Sequence, residues 1–292
     1  MKRILIISDG KPGHLNQSIA FCKIKNISYD ILEVKFKSKF HKVLSYIFDR
    51  FDFFTDSLFE EHKNYYPEFY DAIVSAGSGT YYFSKLISQK YNKKSIALML
   101  PKSYKYSNFY YIIAQEHDHP ILLDNLLAIP LNLSYPSPKG YIKKIEDKKS
   151  LAVIIGGDNG IFTMPYHVIK EKLDEIFKKY PDYLKYVTTS RRTSSKIEAL
   201  INEYNFNYKI IYSKEPNINP IGDFIAICDK FFITIDSTSM LSEVRANSDA
   251  KINIIDLDSK KENTKYHRLV KIIEDMDDEK VNFTKLLKKV KI

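Results

Sequence analysis

Residues 8–18, SDGKPGHLNQS, follow the apolar run Ile4–Ile7 and gather Gly13, His14, Asn16 and Gln17 at one strand end. An imidazole in such a place suits a general base or a hydrogen-bond donor, because histidine titrates at about 6.5 without neighbours. An ordinary strand-to-helix turn accounts for the glycines and the proline equally well. Glu116 and Asp118, in QEHDHP (115–120), are rival bases at another predicted strand end. His117 and His119 alone make a weak metal motif, since no third ligand accompanies them, and polar loop histidines are the simpler reading. No metal site is expected.

Three turns in the second half have the composition of an anion site. Gly156-Gly157-Asp158-Asn159-Gly160 is neither a dinucleotide fingerprint nor a P-loop, yet such a turn can present backbone N–H groups to an anion. Thr188-Thr189-Ser190-Arg191-Arg192-Thr193 places two guanidinium forks among hydroxyls, which suits a diphosphate. The plainer alternative is a surface Arg pair with Thr193 as a cap. In IDSTSMLSE (235–243), hydroxyl residues open a helix whose positive end favours phosphate, and Glu243 lies about one turn further in, where it can accept a ribose diol. A capping device with a favourable Glu explains that segment too. SAGSGT (75–80) is mostly explained as a tight turn, with Ser78 or Thr80 capping the next helix.

These turns need strands to carry them. Apolar runs at 2–8, 70–76, 94–100 and 109–115, then at 151–157, 184–190, 208–213, 231–236 and 251–257, predict strands. Several are apolar at consecutive positions, as in parallel sheets covered on both faces. Helical periods at 165–180, 193–205, 220–229 and 238–247 alternate with them, which predicts doubly wound α/β sheets. In such sheets ligands bind beyond the carboxyl ends of the strands, where the polar turns fall. SYPSPKGYIKKIEDKKS (134–149, lacking an apolar period) reads as a linker. It separates a domain at 1–140 from one at 150–260, and 261–292 is expected to be helical and to cross back toward the first domain.

With 292 residues, 44% hydrophobic and 28% charged, the chain has ordinary globular composition and length for two domains. The start, MKRILIISDG, turns polar too soon for a membrane span or a cleavable leader. Two distant cysteines, Cys22 and Cys228, fit a reducing cytoplasm better than a disulfide framework. A net charge of +9 comes from dispersed lysines without a nucleic-acid reading head, so nucleic acid is not an expected partner.

SDGKPGHLNQS, AGSGT, EHD (116–118), IGG (155–157), TTSRRT (188–193), NP (219–220) and IDSTSMLSE together resemble the family named for the plant mitochondrial fission factor ELM, whose many bacterial members are treated as glycosyltransferases. More distantly, SMLSE resembles the donor-site segment of the bacterial peptidoglycan N-acetylglucosaminyltransferase. The resemblance implies a GT-B fold, with two Rossmann-like domains whose parallel sheets face an interdomain cleft. It implies metal-independent sugar transfer from a nucleotide-sugar donor, which is a substrate, so no cofactor is expected. It places Gly157, Ser190, Arg191, Arg192, Asn219, Ser237, Ser239, Met240 and Glu243 on the donor side. Gly13, His14, Asn16 and Ser78 fall on the acceptor side. The segment VRANSDAKINI departs from the Gly-Lys/Leu-Pro that often ends this helix in GT-B enzymes.

The expected activity is therefore an inverting glycosyltransferase acting on a cell-envelope or surface glycan, with a lipid-linked acceptor included. A catalytically idle GT-B-like scaffold and a non-hydrolysing nucleotide-sugar epimerase are the alternatives. Residues 40–59 place Phe40, Val43, Leu44, Ile47, Phe48, Phe51, Phe54 and Leu58 on one helical stripe beside Lys35, Lys37, Lys39 and Lys42. A core-facing helix is the favoured reading; docking on an anionic membrane surface is the other. The expected location is the cytoplasm, with peripheral attachment to the inner membrane face in the second case.

Overall fold

The computed structural model describes residues 2–276 and 280–292. The chain divides into two compact units, Met1–Tyr135 with Asn282–Ile292, and Pro136–Val281.

The first unit carries strands β1 (Arg3–Ser8), β2 (Ser28–Glu33), β3 (Ala72–Ala76), β4 (Lys94–Leu98), β5 (Tyr111–Gln115) and β6 (Leu126–Ile129), and helices α1 (Pro12–Ile24), α2 (Lys39–Arg50) and α3 (Tyr81–Tyr91). All six strands are parallel, in the order β2-β1-β3-β4-β5-β6. Ile4, Leu5, Ile6 and Ile7 of β1 are all buried, as consecutive apolar residues must be when helices cover both faces. The connections reverse direction between β1 and β3, which makes that edge the topological switch point of the sheet.

The second unit carries β7 (Ser150–Ile155), β8 (Phe162–Thr163), α4 (Tyr166–Lys179), β9 (Leu184–Thr189), α5 (Ser195–Asn202), β10 (Tyr208–Ile210), α6 (Ile221–Ile227), β11 (Lys230–Thr234), α7 (Thr238–Asn247), β12 (Lys251–Ile255), β13 (Asp258–Ser259) and α8 (Lys265–Asp275). Its main sheet is parallel, ordered β10-β9-β7-β11-β12, so the switch point lies between β7 and β11. β8 and β13 form a separate short antiparallel pair. Residues 136–149 have no regular structure and belong to this unit. Buried Asp223 of α6 holds them, its carboxylate accepting the N–H groups of Lys139, Gly140 and Tyr141 at 2.7, 2.9 and 3.0 Å. The last residues, including α9 (Phe283–Leu286), belong to the first unit, where Lys25 Nζ donates to the carbonyls of Leu287 and Val290.

The stripe at 40–59 is not one helix. α2 ends at Arg50, Asp52 takes a left-handed φ of 54°, and Asp56–Leu58 form a separate 3-10 turn. The favoured core-facing reading holds for Leu44, Phe48, Phe54 and Leu58, which pack on the core, and fails for Phe40, Val43, Ile47 and Phe51, which are exposed. The fully buried residues of α2 are Ser45 and Asp49, whereas Phe40, Val43 and Ile47 point outward. An ion pair accounts for the buried polar side of α2. Lys85 of α3 donates to Asp49 Oδ1 at 2.6 Å, the other carboxylate oxygen accepts Lys105 N–H, and both side chains are fully buried. Leu44 and Phe48, partly covered, supply the apolar contact of α2 with the core.

Candidate functional site

In the first unit, the turns after β1 and β3 meet at the switch point, and a carboxylate and an imidazole meet there with them. His14 lies in the first turn of α1, which Pro12 opens with its fixed φ. Its Nδ1 sits 3.0 and 3.2 Å from the two oxygens of Asp9. A carboxylate can only accept there, so Nδ1 carries the proton and Nε2 keeps its lone pair. Lys11 Nζ also reaches Asp9 at 2.8 Å. Burial opposes ionisation of Asp9, but the His14 and Lys11 contacts outweigh it and bring the carboxyl down to about 2.

The glycines of AGSGT make room for this pair. Gly77 has a φ of 86°, and a Cβ on it would lie 2.2 Å from His14 Cε1; one on Gly79 would lie 2.8 Å from Asp9 Oδ2. The expected cap does not form at Thr80. Its hydroxyl instead donates to the carbonyls of Ala76 and Gly77, while Ser78 Oγ accepts from Lys42 Nζ. Gly13 and Asn16 share the first turns of α1 with His14, and Gln17 is buried, its Oε1 accepting from Gln115 Nε2. Ser75 Oγ and Gln115 Oε1, at the carboxyl ends of β3 and β5, are buried without a protein partner. Glu116 and Asp118 occupy the 3-10 turn after β5. Glu116 is exposed, Asp118 is paired with Lys102 at 2.8 Å, and the His14 ring contacts neither. Among the described residues, no group of three His, Cys, Asp or Glu side chains is placed to hold a metal ion.

At the switch point of the second unit, Asp236 is the organising residue. It follows β11 and is fully buried. Oδ2 accepts Gly157 N–H at 3.0 Å and the Arg192 guanidinium at 2.5 Å, while Oδ1 is buried without a partner. Burial pushes the Asp236 carboxyl above the usual range, against the pull of Thr234, Gly157 N–H and Arg192. The anion cradle expected at Gly156 and Gly157 is therefore already occupied, Gly156 N–H donating to Thr234 Oγ1 at 2.8 Å. The glycines are needed for contact instead. A Cβ on Gly156 would fall 2.1 Å from the Asp236 carboxylate, and one on Gly157 would fall 2.1 Å from the Arg192 carbonyl oxygen. Ser190 Oγ accepts Arg192 N–H and Thr193 Oγ1 accepts Ser190 N–H, which fixes the arginine turn.

α7 begins two residues further on, at Thr238, with Ser237 as its N-cap. Ser237 Oγ accepts Met240 N–H, and among the described residues the N–H groups of Thr238 and Ser239 have no acceptor. They point along the positive end of the helix dipole. Arg191 is exposed, and among the described residues its guanidinium has no ion pair or hydrogen bond, unlike that of its neighbour. Glu243 lies on the second turn of α7. Burial, with no cation nearby to offset it, pushes its carboxyl up to about 7. Asn219 serves locally, its Oδ1 accepting Ile221 N–H at the start of α6.

Residues 12–284 match the model of the family described as mitochondrial fission ELM1. The chain belongs to that family. Among solved structures, this ELM1-family protein is similar to the UDP co-structure of S. aureus MnaA, at 11% identity and a TM-score of 0.50, covering 94% of this chain and 89% of that one. It is similar to Acinetobacter baumannii MurG at 12% identity and a TM-score of 0.50, covering 96% and 85% of the two chains. Neisseria meningitidis UDP-GlcNAc 2-epimerase bound to UDP-GlcNAc gives 11% identity and a TM-score of 0.51, with 93% and 85% covered. At such identities the likeness establishes the fold class alone, a GT-B arrangement of two Rossmann-like sheets. No curated protein sequence matches the chain.

Asp9, Gln115 and Asp236 are the residues that sequence reasoning passed over. Asp9 and Asp236 sit within turns it had already singled out, and the register that turns each carboxylate onto its partner has no sequence signature. Gln115 ends a strand that the apolar run had located.

Proposed function

We propose that this protein is a glycosyltransferase that moves a sugar from a nucleotide-diphosphate donor, with inversion and without a metal ion or other cofactor. The acceptor is a glycan of the cell envelope or surface, a lipid-linked glycan included. The observation that carries the reading is the end of β11. There, among the described residues, the N–H groups of Thr238 and Ser239 have no protein acceptor and part-buried Glu243 has no cation beside it, both within two turns of α7; the exposed Arg191 adjoins Arg192, whose guanidinium reaches Asp236. The helix end and guanidinium suit a diphosphate, and a carboxylate that accepts two hydroxyls suits a ribose. The helix end and the guanidinium supply the positive charge needed as the nucleoside diphosphate leaves.

In the first unit, His14 Nε2 takes the proton of the acceptor hydroxyl as its oxygen bonds to the anomeric carbon. The bond from that carbon to the phosphate oxygen breaks, and its electron pair leaves with the nucleoside diphosphate. Asp9 holds the tautomer and stabilises the imidazolium that forms. In this scheme Gly157, Ser190 and Arg192 shape the donor turn, Ser237, Ser239 and Met240 form the helix end, and Asn219 holds α6. Gly13, Asn16 and Ser78 surround the acceptor-side histidine.

Calorimetric titration with UDP, GDP, CDP, CMP and their sugars tests the reading. Binding weakened about tenfold or more by Arg191→Ala, with an unchanged melting temperature, is expected for a charge-assisted contact to phosphate. A folded sample that binds none of them refutes it. Turnover that yields an epimerised donor and no glycoside replaces the transferase with an epimerase.

A further inference from the structure

The outward face of α2 is apolar where a surface helix is normally polar. Phe40, Val43, Ile47 and Phe51 are 66, 54, 47 and 78% exposed. At about 100° per residue they fall within an arc of roughly 80°, and they extend over roughly 16 Å at 1.5 Å per residue. Phe53, just beyond the helix, is exposed as well.

Charge around this stripe is mainly positive; an exposed acid at its end, Asp52 between Phe51 and Phe53, is paired with Lys105 at 2.6 Å. Lys35, Lys37, Lys39 and Arg50 are exposed on and beside α2, and Lys42 flanks them. The only acid between Val34 and Phe51 is Asp49, which is fully buried against Lys85, so it cannot offset them at the surface. Lys35 alone among them is paired with an acid, Glu60 at 2.7 Å, in an exposed contact of little strength. Another exposed apolar run, Ile121 to Leu123, lies between Asp118 and Asp124 and has no such basic border.

We propose that the outward face of α2 docks this protein on an anionic lipid bilayer, lying in the interface plane. Aromatic and aliphatic side chains rimmed by lysine and arginine, on a helix too short to span, combine apolar insertion with attraction to anionic headgroups. Among the described residues no helix is long and apolar enough to cross a membrane, so attachment through this face is peripheral. A protein groove would accept the apolar stripe but gives no reason for a border in which Lys37, Lys39 and Arg50 are exposed without an ion pair among the described residues. The proposal is independent of nucleotide binding by the second unit.

The chain contains no tryptophan, so Phe51→Trp creates a single fluorescent reporter. With vesicles of phosphatidylcholine plus phosphatidylglycerol, its emission shifts to the blue and the protein floats with the lipid. Phe40→Ser with Phe51→Ser weakens flotation by about tenfold or more, since each removes an inserted ring. Lys39→Glu with Arg50→Glu does the same through charge. Melting temperature and nucleotide titration stay as in the wild type for both pairs, which separates loss of docking from loss of fold or of the donor site. Absence of flotation with the anionic vesicles overturns the proposal, as does equal flotation by wild type and both variants. A wild-type dimer that the serine pair makes monomeric, with no lipid binding, assigns the face to a second copy of the chain instead.

Discussion

Replacing Glu243 by glutamine separates the two consequences of burying a carboxyl beside a helix start. Below about pH 4.5 the wild-type group is protonated in folded and unfolded chains alike, and the two proteins have equal stability from this source. As pH rises from 4.5, the unfolded chain releases the proton while the folded one holds it until about 7. The folded pKa is raised, so stability is fully present below 4.5 and is lost through pH 7. At 1.36 kcal/mol per pH unit, the interval from 4.5 to about 7 amounts to roughly 3 kcal/mol. Partial solvent access makes ~2–3 kcal/mol the expected range. Urea unfolding of the second unit, followed at pH 4.5, 6 and 8, shows a decline in the wild type that is shallower in Glu243→Gln by the share due to this group. Donor binding moves the opposite way. If a ribose diol donates to the carboxylate, binding favours the ionised form, and wild-type affinity rises from pH 6 to pH 8 with proton release detectable by calorimetry. The variant binds about 10- to 100-fold more weakly at pH 8, the loss expected for hydrogen bonds to a charged group. A variant with the wild-type pH slope in stability refutes the burial argument. One with undiminished affinity at pH 8 removes Glu243 from the donor site.

Asp9→Asn keeps the shape of the pair but lets the amide donate to His14, favouring the wrong tautomer; turnover falls by at least 100-fold while donor binding is unchanged. The same residue gives the wild type an acid limb. Its folded pKa, about 2, is depressed, so its contribution is present above the unfolded value of 3.8 and is lost as pH falls through 2. Gly157→Ala forces a Cβ onto the Arg192 carbonyl, which backbone cannot yield cheaply; a loss of ~2–4 kcal/mol in unfolding free energy is expected, read by urea denaturation. Lys85→Met leaves Asp49 buried and unpaired at a cost of ~3–5 kcal/mol, and adding Asp49→Leu returns much of it, a non-additivity that a double-mutant cycle measures.

Much of the strand framework is legible because parallel strands buried on both faces read as unbroken apolar runs. β1, β7 and β9 are found this way to within a residue or two. β2 has no such run. It lies at a sheet edge, exposes Ile31 and fully buries only Leu32, so neither a continuous stretch nor a clean alternation marks it. β6 is four residues long and follows an irregular loop, too little for periodicity to register. α2 fails for another reason. A moment along a helix says that two faces differ, but not which one the rest of the chain covers. The polar part of the covered side pairs with Lys85, 36 positions beyond Asp49, and no local pattern carries that contact.

A common logic links the two switch points and decides between neighbouring arginines. Each has a carboxylate just after the strand on one side, Asp9 after β1 and Asp236 after β11, and each is largely or fully buried. Removing a carboxylate from water costs several kcal/mol, so such a group is stable only with its partner held close. The partner is thereby held as firmly as the carboxylate. For His14 this restraint fixes which nitrogen of the neutral ring keeps a lone pair, and in the proposed transferase it leaves Nε2 to act as the base. For Arg192 the consequence is opposite. Its fork is committed to Asp236, its charge is largely cancelled there, and a diphosphate would have to compete with a carboxylate at 2.5 Å. Arg191, one residue earlier and without an ion pair among the described residues, has its whole charge to offer. Arg191→Ala should therefore remove affinity and leave the fold intact, whereas Arg192→Ala should lower stability first, by leaving Asp236 buried without its cation.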